Sequence, residues 1–207
     1  MTFTFFFRDR QTLELAIKYS FEYLKNKERI EIWDAGCSQG AESFSLAILM
    51  HRHLGPEVFE RVRIIATDLD RNGKFSKIIE EGIYPLASVK RIPKETRDEY
   101  FHPTDEEGSH YQINDEIHQA VSFHKHDILS LKPIKENLSG VLCKNVMIHF
   151  TPQQQIDAFK LYHRSLAEGG FLVTDNSQPM PEECAHLFQR IVNNVRIYRK
   201  VEVATEA

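Results

Sequence analysis

The stretch Ile30–Ala47, IEIWDAGCSQGAESFSLA, decides how this chain is read. An apolar run meets a turn carrying Gly36 and Gly40 and passes straight into an amphipathic segment, which predicts strand, tight turn and helix in succession. Glycine has no Cβ, so the backbone at both positions can bend sharply and let a ligand lie close against it. Asp34 falls at the carboxyl end of the strand, the edge at which open α/β sheets place their ligands. A second apolar strand is expected from Val62 to Thr67 and also ends in acid, with Asp68 and Asp70 in ATDLD. An acidic side chain at that place can accept hydrogen bonds from both ribose hydroxyls, so a ribose-bearing ligand is expected.

Two nucleoside cofactors compete for this reading. Dinucleotide sites use a G-x-G-x-x-G turn that seats the pyrophosphate on a helix N-terminus. Here the spacing is Gly36-x-x-x-Gly40, and Glu42 stands in the first helical turn, where it would repel a phosphate. S-adenosylmethionine carries a sulfonium, an ammonium and no phosphate, so an acid-lined pocket suits it better. A short glycine motif alone leaves both open.

The 207 residues suffice for one well-buried core, and 42% hydrophobic with 27% charged residues is the composition of an ordinary globular chain. A formal net charge of −4 and a pI near 6.2 speak against a general nucleic-acid binder or a binder of anionic membranes, since both need concentrated basic surface. Cys37, Cys143 and Cys184 have no C-x-x-C spacing, so neither a disulfide framework nor a metal site is expected and a cytoplasmic setting fits. No apolar run approaches the roughly eighteen residues of a membrane-spanning helix, so membrane insertion is not expected.

Beyond the second strand a helix is expected over Lys74 to Glu81, closed by Gly82. The β-α-β-α rhythm implies a parallel sheet with helices on its faces. Residues 85–119 interrupt it and read as an inserted subdomain with a helix and small antiparallel strands. The core resumes with strands at Ala120 to His126 and Gly140 to Met147. A helix then opens at Thr151, with Pro152 first in the helix and Gln154 completing a capping box. Its apolar face is expected at Ile156, Phe159, Tyr162 or His163, and Leu166, and Gly169-Gly170 should stop it. FLVTDN, a short helix over Glu182 to Phe188 and a β segment from Val195 to Val203 follow. The fold class expected is α/β: a single Rossmann-like, doubly wound seven-stranded domain over residues 1–207, ending in an antiparallel hairpin and carrying the small β-containing insertion.

Six blocks, read in order, resemble the CheR-type chemotaxis-receptor methyltransferases: TFFFRD at Thr4 to Asp9, GCSQGAESFSLA at Gly36 to Ala47, ATDLD at Ala66 to Asp70, GIYP at Gly82 to Pro85, YF at Tyr100-Phe101, and CKNVMIHF at Cys143 to Phe150. The resemblance implies a Rossmann-like S-adenosylmethionine methyltransferase with a small β insertion. It would methylate glutamate side chains of a chemoreceptor or other signalling protein and release S-adenosylhomocysteine. Block by block it implies cofactor contacts from Thr4, Arg8, Glu42, Asp68, Asp127, Ile128, Lys144 and Asn145, with Ala35 and Gly36 flanking the methionine portion. Arg8 would stand beside the sulfur, in catalysis or in placing the acceptor.

The chain also departs from the family pattern. His149 replaces a Tyr often found near the methyl-transfer site, and is taken as a second candidate catalytic residue. Lys144 replaces Arg, exchanging a planar fork for a point charge. Asn176-Ser177-Gln178 stands where the family has G-H-S-E, and the family's helical N-terminal domain is expected to be missing. Plainer duties exist for the same residues: core packing for Phe5, Phe6 and Phe7, dipole complement for Glu42, helix capping for Asp68 and Asp127. Three functions remain in play: a protein-glutamate methyltransferase, a methyltransferase with another acceptor, and a catalytically silent domain that binds the cofactor and signals.

Overall fold

Every residue of Ile30–Ala35 is buried, as befits a strand covered on both faces. The computed structural model describes residues 4–177 and 179–202. In chain order they form α1 (Arg10–Lys25), β1 (Ile30–Ala35), α2 (Ala41–Leu54), the single turn α3 (Pro56–Phe59), β2 (Val62–Asp68) and α4 (Lys74–Glu81). Then come β3 (Ile83–Pro85), α5 (Leu86–Val89), α6 (Lys94–Tyr100), β4 (Phe101–Pro103), β5 (His110–Ile113) and α7 (Asp115–Gln119). The remainder is β6 (Val121–Lys125), β7 (Leu138–Cys143), α8 (Pro152–Ser165), β8 (Leu166–Thr174), β9 (Phe188–Arg190) and β10 (Ile197–Lys200).

Seven strands make one sheet in the order β6-β2-β1-β7-β8-β10-β9. The first five are parallel neighbours, and β10 runs antiparallel to both β8 and β9. This is the Rossmann-like α/β architecture expected. The chain winds outward from β1 to β2 and β6, then returns to lay β7 on the other side of β1. That reversal opens a crevice at the strands' carboxyl ends.

One face is covered by α1 and α2 through Leu13, Ile17, Leu24, Phe44 and Ile48, the other by α8 through Phe159 and Tyr162. Trp33 is fully buried in β1; its indole N–H donates to Thr67 Oγ1 at 2.8 Å and its ring meets Tyr162 edge-on at 5.6 Å. The excursion contains a three-stranded antiparallel sheet, β3-β5-β4, that begins at Ile83 rather than Pro85. Tyr84 joins it to the rest: its ring packs edge-on against Phe6 at 4.9 Å, and its hydroxyl donates to the Gln39 carbonyl at 2.7 Å.

Two local readings hold in detail. Gly82 closes α4 in the left-handed region at φ 63°, and Thr151 with Gln154 forms the reciprocal capping box of α8. Others need correcting. Strand β7 stops at Cys143, because Lys144 turns inward to an ion pair and Asn145 adopts φ 59°. Helix α8 ends at Ser165, so Leu166 belongs to β8 and not to the helix face. Gly169 and Gly170 lie inside β8, where the pairing with β7 slips between Leu138 and Gly140. These glycines mark an irregularity of the ladder, a recognised use of glycine in strands. The segment Glu182–Leu187 is 3-10 and Phe188 opens β9; the last strand is Ile197–Lys200, with Val203 outside the described residues.

Gly140 lies under the Phe171 ring, and a Cβ built there would stand 2.7 Å from Phe171 Cε1. Gly140→Ala should therefore destabilise the fold by about 1–3 kcal/mol through overpacking, read as a lower urea midpoint. An unchanged midpoint would mean that the ring can yield.

Candidate functional site

The loops that leave the carboxyl ends of β1, β2, β6 and β7, closed on one side by the strap before α1, enclose a cleft of about 620 Å³. Thr4 and Arg8 reach it from the strap, Gly36 and Glu42 from the first turn and helix, and Asp68 from β2. Asp127 and Ile128 reach it from the segment after β6, and Lys144, Asn145 and His149 from the segment after β7. Ala35 does not line it: it is 1% exposed at the end of β1, beneath the turn. Residues 4 to 149 thus meet in one place although the sequence holds them far apart.

The floor is bare backbone. Gly36 has φ 95°, and a Cβ there would collide with the Val146 side chain. The Gly36 and Cys37 amides both donate to the Thr67 carbonyl, at 2.8 and 2.9 Å, and the Ser38 amide donates to Asp68 Oδ2 at 3.0 Å. The turn is thereby stitched to β2, and Asp68 is held at its edge with acceptor capacity left over. Asp70 faces the other way and caps α4, accepting from the Phe75 and Ser76 amides at 2.9 and 3.0 Å. Asp127 serves twice, lining the cleft and accepting from the Leu129 amide at 2.9 Å.

Below the floor lies a buried polar cluster. The Lys144 side chain is 1% exposed, with Nζ 2.8 Å from Glu42 Oε2 and 3.3 Å from Asp9 Oδ2. Burial alone would discharge it, but the charge of Glu42, followed by that of Asp9, outweighs this and raises its pKa, so Lys144 is an ammonium at neutral pH. Its charge is directed inward, to Glu42 and Asp9. Ser43 Oγ donates to Asp34 Oδ2 at 2.5 Å. Burial, reinforced by the neighbouring Glu42, pushes the Asp34 carboxyl up to about 8.

Sequence reasoning missed several participants. Asp175, 6% exposed, accepts from the Asn145 amide at 3.0 Å and from the amide and hydroxyl of Ser177, and so holds Asn145 in its left-handed turn. A signal existed, since TDN ends β8 in acid just as Asp34 and Asp68 end their strands. Leu69, 42% exposed, and Ile148, 47% exposed, line the walls; they are apolar and carry no chemical signature in a sequence. Among the described residues no group of three or more His, Cys, Asp or Glu side chains is placed to hold a metal ion.

Residues 2–197 match the family described as CheR methyltransferase, SAM binding domain. The chain belongs to this family. A chemotaxis protein methyltransferase of Listeria innocua is 31% identical over 175 residues, covering 84% of this chain and 63% of that protein. A probable chemotaxis protein methyltransferase of Rhizobium etli is 26% identical over 195 residues, covering 91% of this chain and 72% of its own. The chain thus spans just under two thirds of the Listeria protein's length. The solved structure of PKMT2 from Rickettsia typhi in complex with AdoHcy covers 84% of this chain and 26% of its own, at 13% identity and a TM-score of 0.48.

The cofactor of a CheR domain of this description is S-adenosylmethionine, and the cleft fits it. The Gly36 turn leaves room for close approach, Asp68 offers acceptors to ribose hydroxyls, Leu69 and Ile128 supply apolar wall, and carboxylates outnumber cations around the floor.

The buried Asp34 makes stability depend on pH. The folded chain keeps a proton that the unfolded chain releases between pH 3.8 and about 8, so stability falls as pH rises through that window. Asp34→Asn retains an acceptor for Ser43 and cannot ionise. Urea titrations at about pH 5.5 and about pH 8 should show the parent losing stability with pH, by order of 1 kcal/mol per unit, and the variant losing less. Equal slopes would place the Asp34 proton elsewhere.

Proposed function

We propose that this CheR domain transfers the methyl group of S-adenosylmethionine to a carboxylate oxygen, and that the acceptor is a glutamate side chain of a receptor or signalling protein. The observation that carries the reading is the convergence in one cleft, at the β1/β7 reversal, of the strap bearing Arg8, the bare glycine turn and the acidic end of β2. The similar Listeria and Rhizobium proteins, both named as chemotaxis methyltransferases, support the same direction. No helix among the described residues is long and apolar enough to cross a membrane.

When bound, the cofactor supplies a methyl group on a sulfonium, already an activated leaving group. A glutamate carboxylate is nucleophilic without losing a proton, so the chain need not furnish a strong base. Its work is to hold the reacting groups in line, the proximity contribution to rate. Arg8 is suited to orient an incoming carboxylate through charge-assisted hydrogen bonds. Tight bidentate pairing would lower nucleophilicity, so the role assigned to Arg8 is placement.

A second reading keeps the cofactor and changes the acceptor. It is favoured by His149 on the cleft wall, where the family has Tyr, and by Asn176-Ser177-Gln178, where the family has G-H-S-E and where Ser177 clasps Asp175 beside Asn145.

Incubation with methyl-labelled S-adenosylmethionine and host lysate, followed by mild alkali, separates these readings. Volatile, base-labile label is the expected result and marks carboxyl methyl esters; alkali-stable label would mean another acceptor. Failure of both S-adenosylmethionine and S-adenosylhomocysteine to bind in calorimetry would overturn the proposal. Asp68→Ala should weaken S-adenosylhomocysteine binding by about 1–3 kcal/mol, the cost of buried hydroxyls left unpaired. Arg8→Ala should depress labelled transfer more than cofactor binding, and equal losses would refute a placement role.

A further inference from the structure

Arg8 sits between two residues in costly backbone conformations, Phe7 at φ 59° and Asp9 at φ 51°. For a bulky residue such as Phe a positive φ is a true outlier, and such geometry persists only where the surroundings over-determine it. Three attachments do so. The Phe7 amide donates to Ser45 Oγ of α2 at 2.8 Å. The Phe6 ring is wedged edge-on between Tyr84 at 4.9 Å and Phe101 at 5.2 Å. The third is Asp9 Oδ2, 3.3 Å from the buried Lys144 ammonium.

The third attachment is unusual for its position. Asp9 is the N-cap residue of α1, where aspartate ordinarily accepts a hydrogen bond from the first-turn amides. Its side chain makes no such bond. It instead forms an ion pair with the residue after β7, and that same ammonium holds Glu42 on α2.

We propose that Asp9 is a positioning residue for Arg8: by engaging Lys144 it clamps the strap that carries Thr4 and Arg8 to the helix and strand end that form the opposite wall. Lys144 is then the shared anchor of Asp9 and Glu42, and Arg8 is delivered to the cleft already oriented. This deepens the cofactor reading of the cleft and rests on it for its ligand-binding arm only.

The test is Asp9→Asn with Asp9→Glu as its companion. Asparagine is at ease in the left-handed region, so the backbone is kept and the charge alone is removed; Asp9→Glu restores the charge. Hydrogen exchange in the ligand-free protein, read on residues 5–9, should quicken about fivefold in Asp9→Asn, most directly at the Phe7 amide, while α2 and β7 stay protected. S-adenosylhomocysteine affinity by calorimetry should fall about threefold to tenfold, on the scale of one lost charged contact. Asp9→Glu should return both toward the parent. Unchanged strap exchange in Asp9→Asn would overturn the proposal. So would a loss of protection confined to α1, which would mark Asp9 as a mere complement to the helix dipole, or an Asp9→Glu variant as impaired as Asp9→Asn. If S-adenosylhomocysteine fails to bind even the parent, the cofactor reading falls, and the ligand-free exchange comparison still decides the role of Asp9.

Discussion

The ammonium of Lys144 is the group around which the cleft is organised. Removing such an ion from water costs several kcal/mol, and only close, well-aligned opposite charge compensates for it. The compensation comes from Glu42 in the first turn of α2 and Asp9 in the strap, while Lys144 itself follows β7. The crevice of a doubly wound sheet lies between strands that diverge in connectivity, and here its two sides are tied beneath the floor by one buried charge. The bare backbone of the glycine turn takes its own support from β2, through the Thr67 carbonyl and the Asp68 carboxyl.

The acids at the strand ends illustrate how environment sets the duty of one side-chain type. Asp34, sealed under the turn beside Glu42, is pushed toward its neutral form although the Ser43 hydroxyl donates to it. Asp68 stands at the cleft edge and braces the Ser38 amide. Asp127 caps a short turn at the rim, and Asp175 grips the Asn145 amide. They share an address at the carboxyl edge of the sheet, and what distinguishes them is depth.

Much of this was legible from the residues in order. Buried parallel strands read as apolar runs, Gly36, Gly40 and Gly82 mark real turns, and the Thr151 cap needs only local bonding, so the layout of the fold follows from short-range rules. The illegible parts depend on distant partners. That β7 breaks off at Cys143 hinges on Lys144 finding Glu42 across 102 positions of chain. The slip at Gly169 and Gly170 depends on pairing with β7, and a reader without that pairing takes the doublet for a helix stop. Of the ten residues that converge on the cleft, Gly36, Glu42 and Asp68 were marked by the turn and the strand ends and the others by comparison with the family's pattern, while their common location depends on winding order. The inward turn of Lys144 could be read from neither.

Strand β10 follows β9 in sequence yet lies between it and β8. Among the described residues β9 has no other strand to pair with, so it cannot be incorporated until its successor has threaded into place. Until then β8 presents an open row of amides and carbonyls, the kind of edge that recruits strands from other molecules. A protease nick between Arg190 and Ile197 would weaken the sheet more than its peripheral position suggests, since a strand cut loose there would take its neighbour's attachment with it. The outer edge of the sheet therefore hangs on this hairpin, far in sequence from every group that touches the cleft.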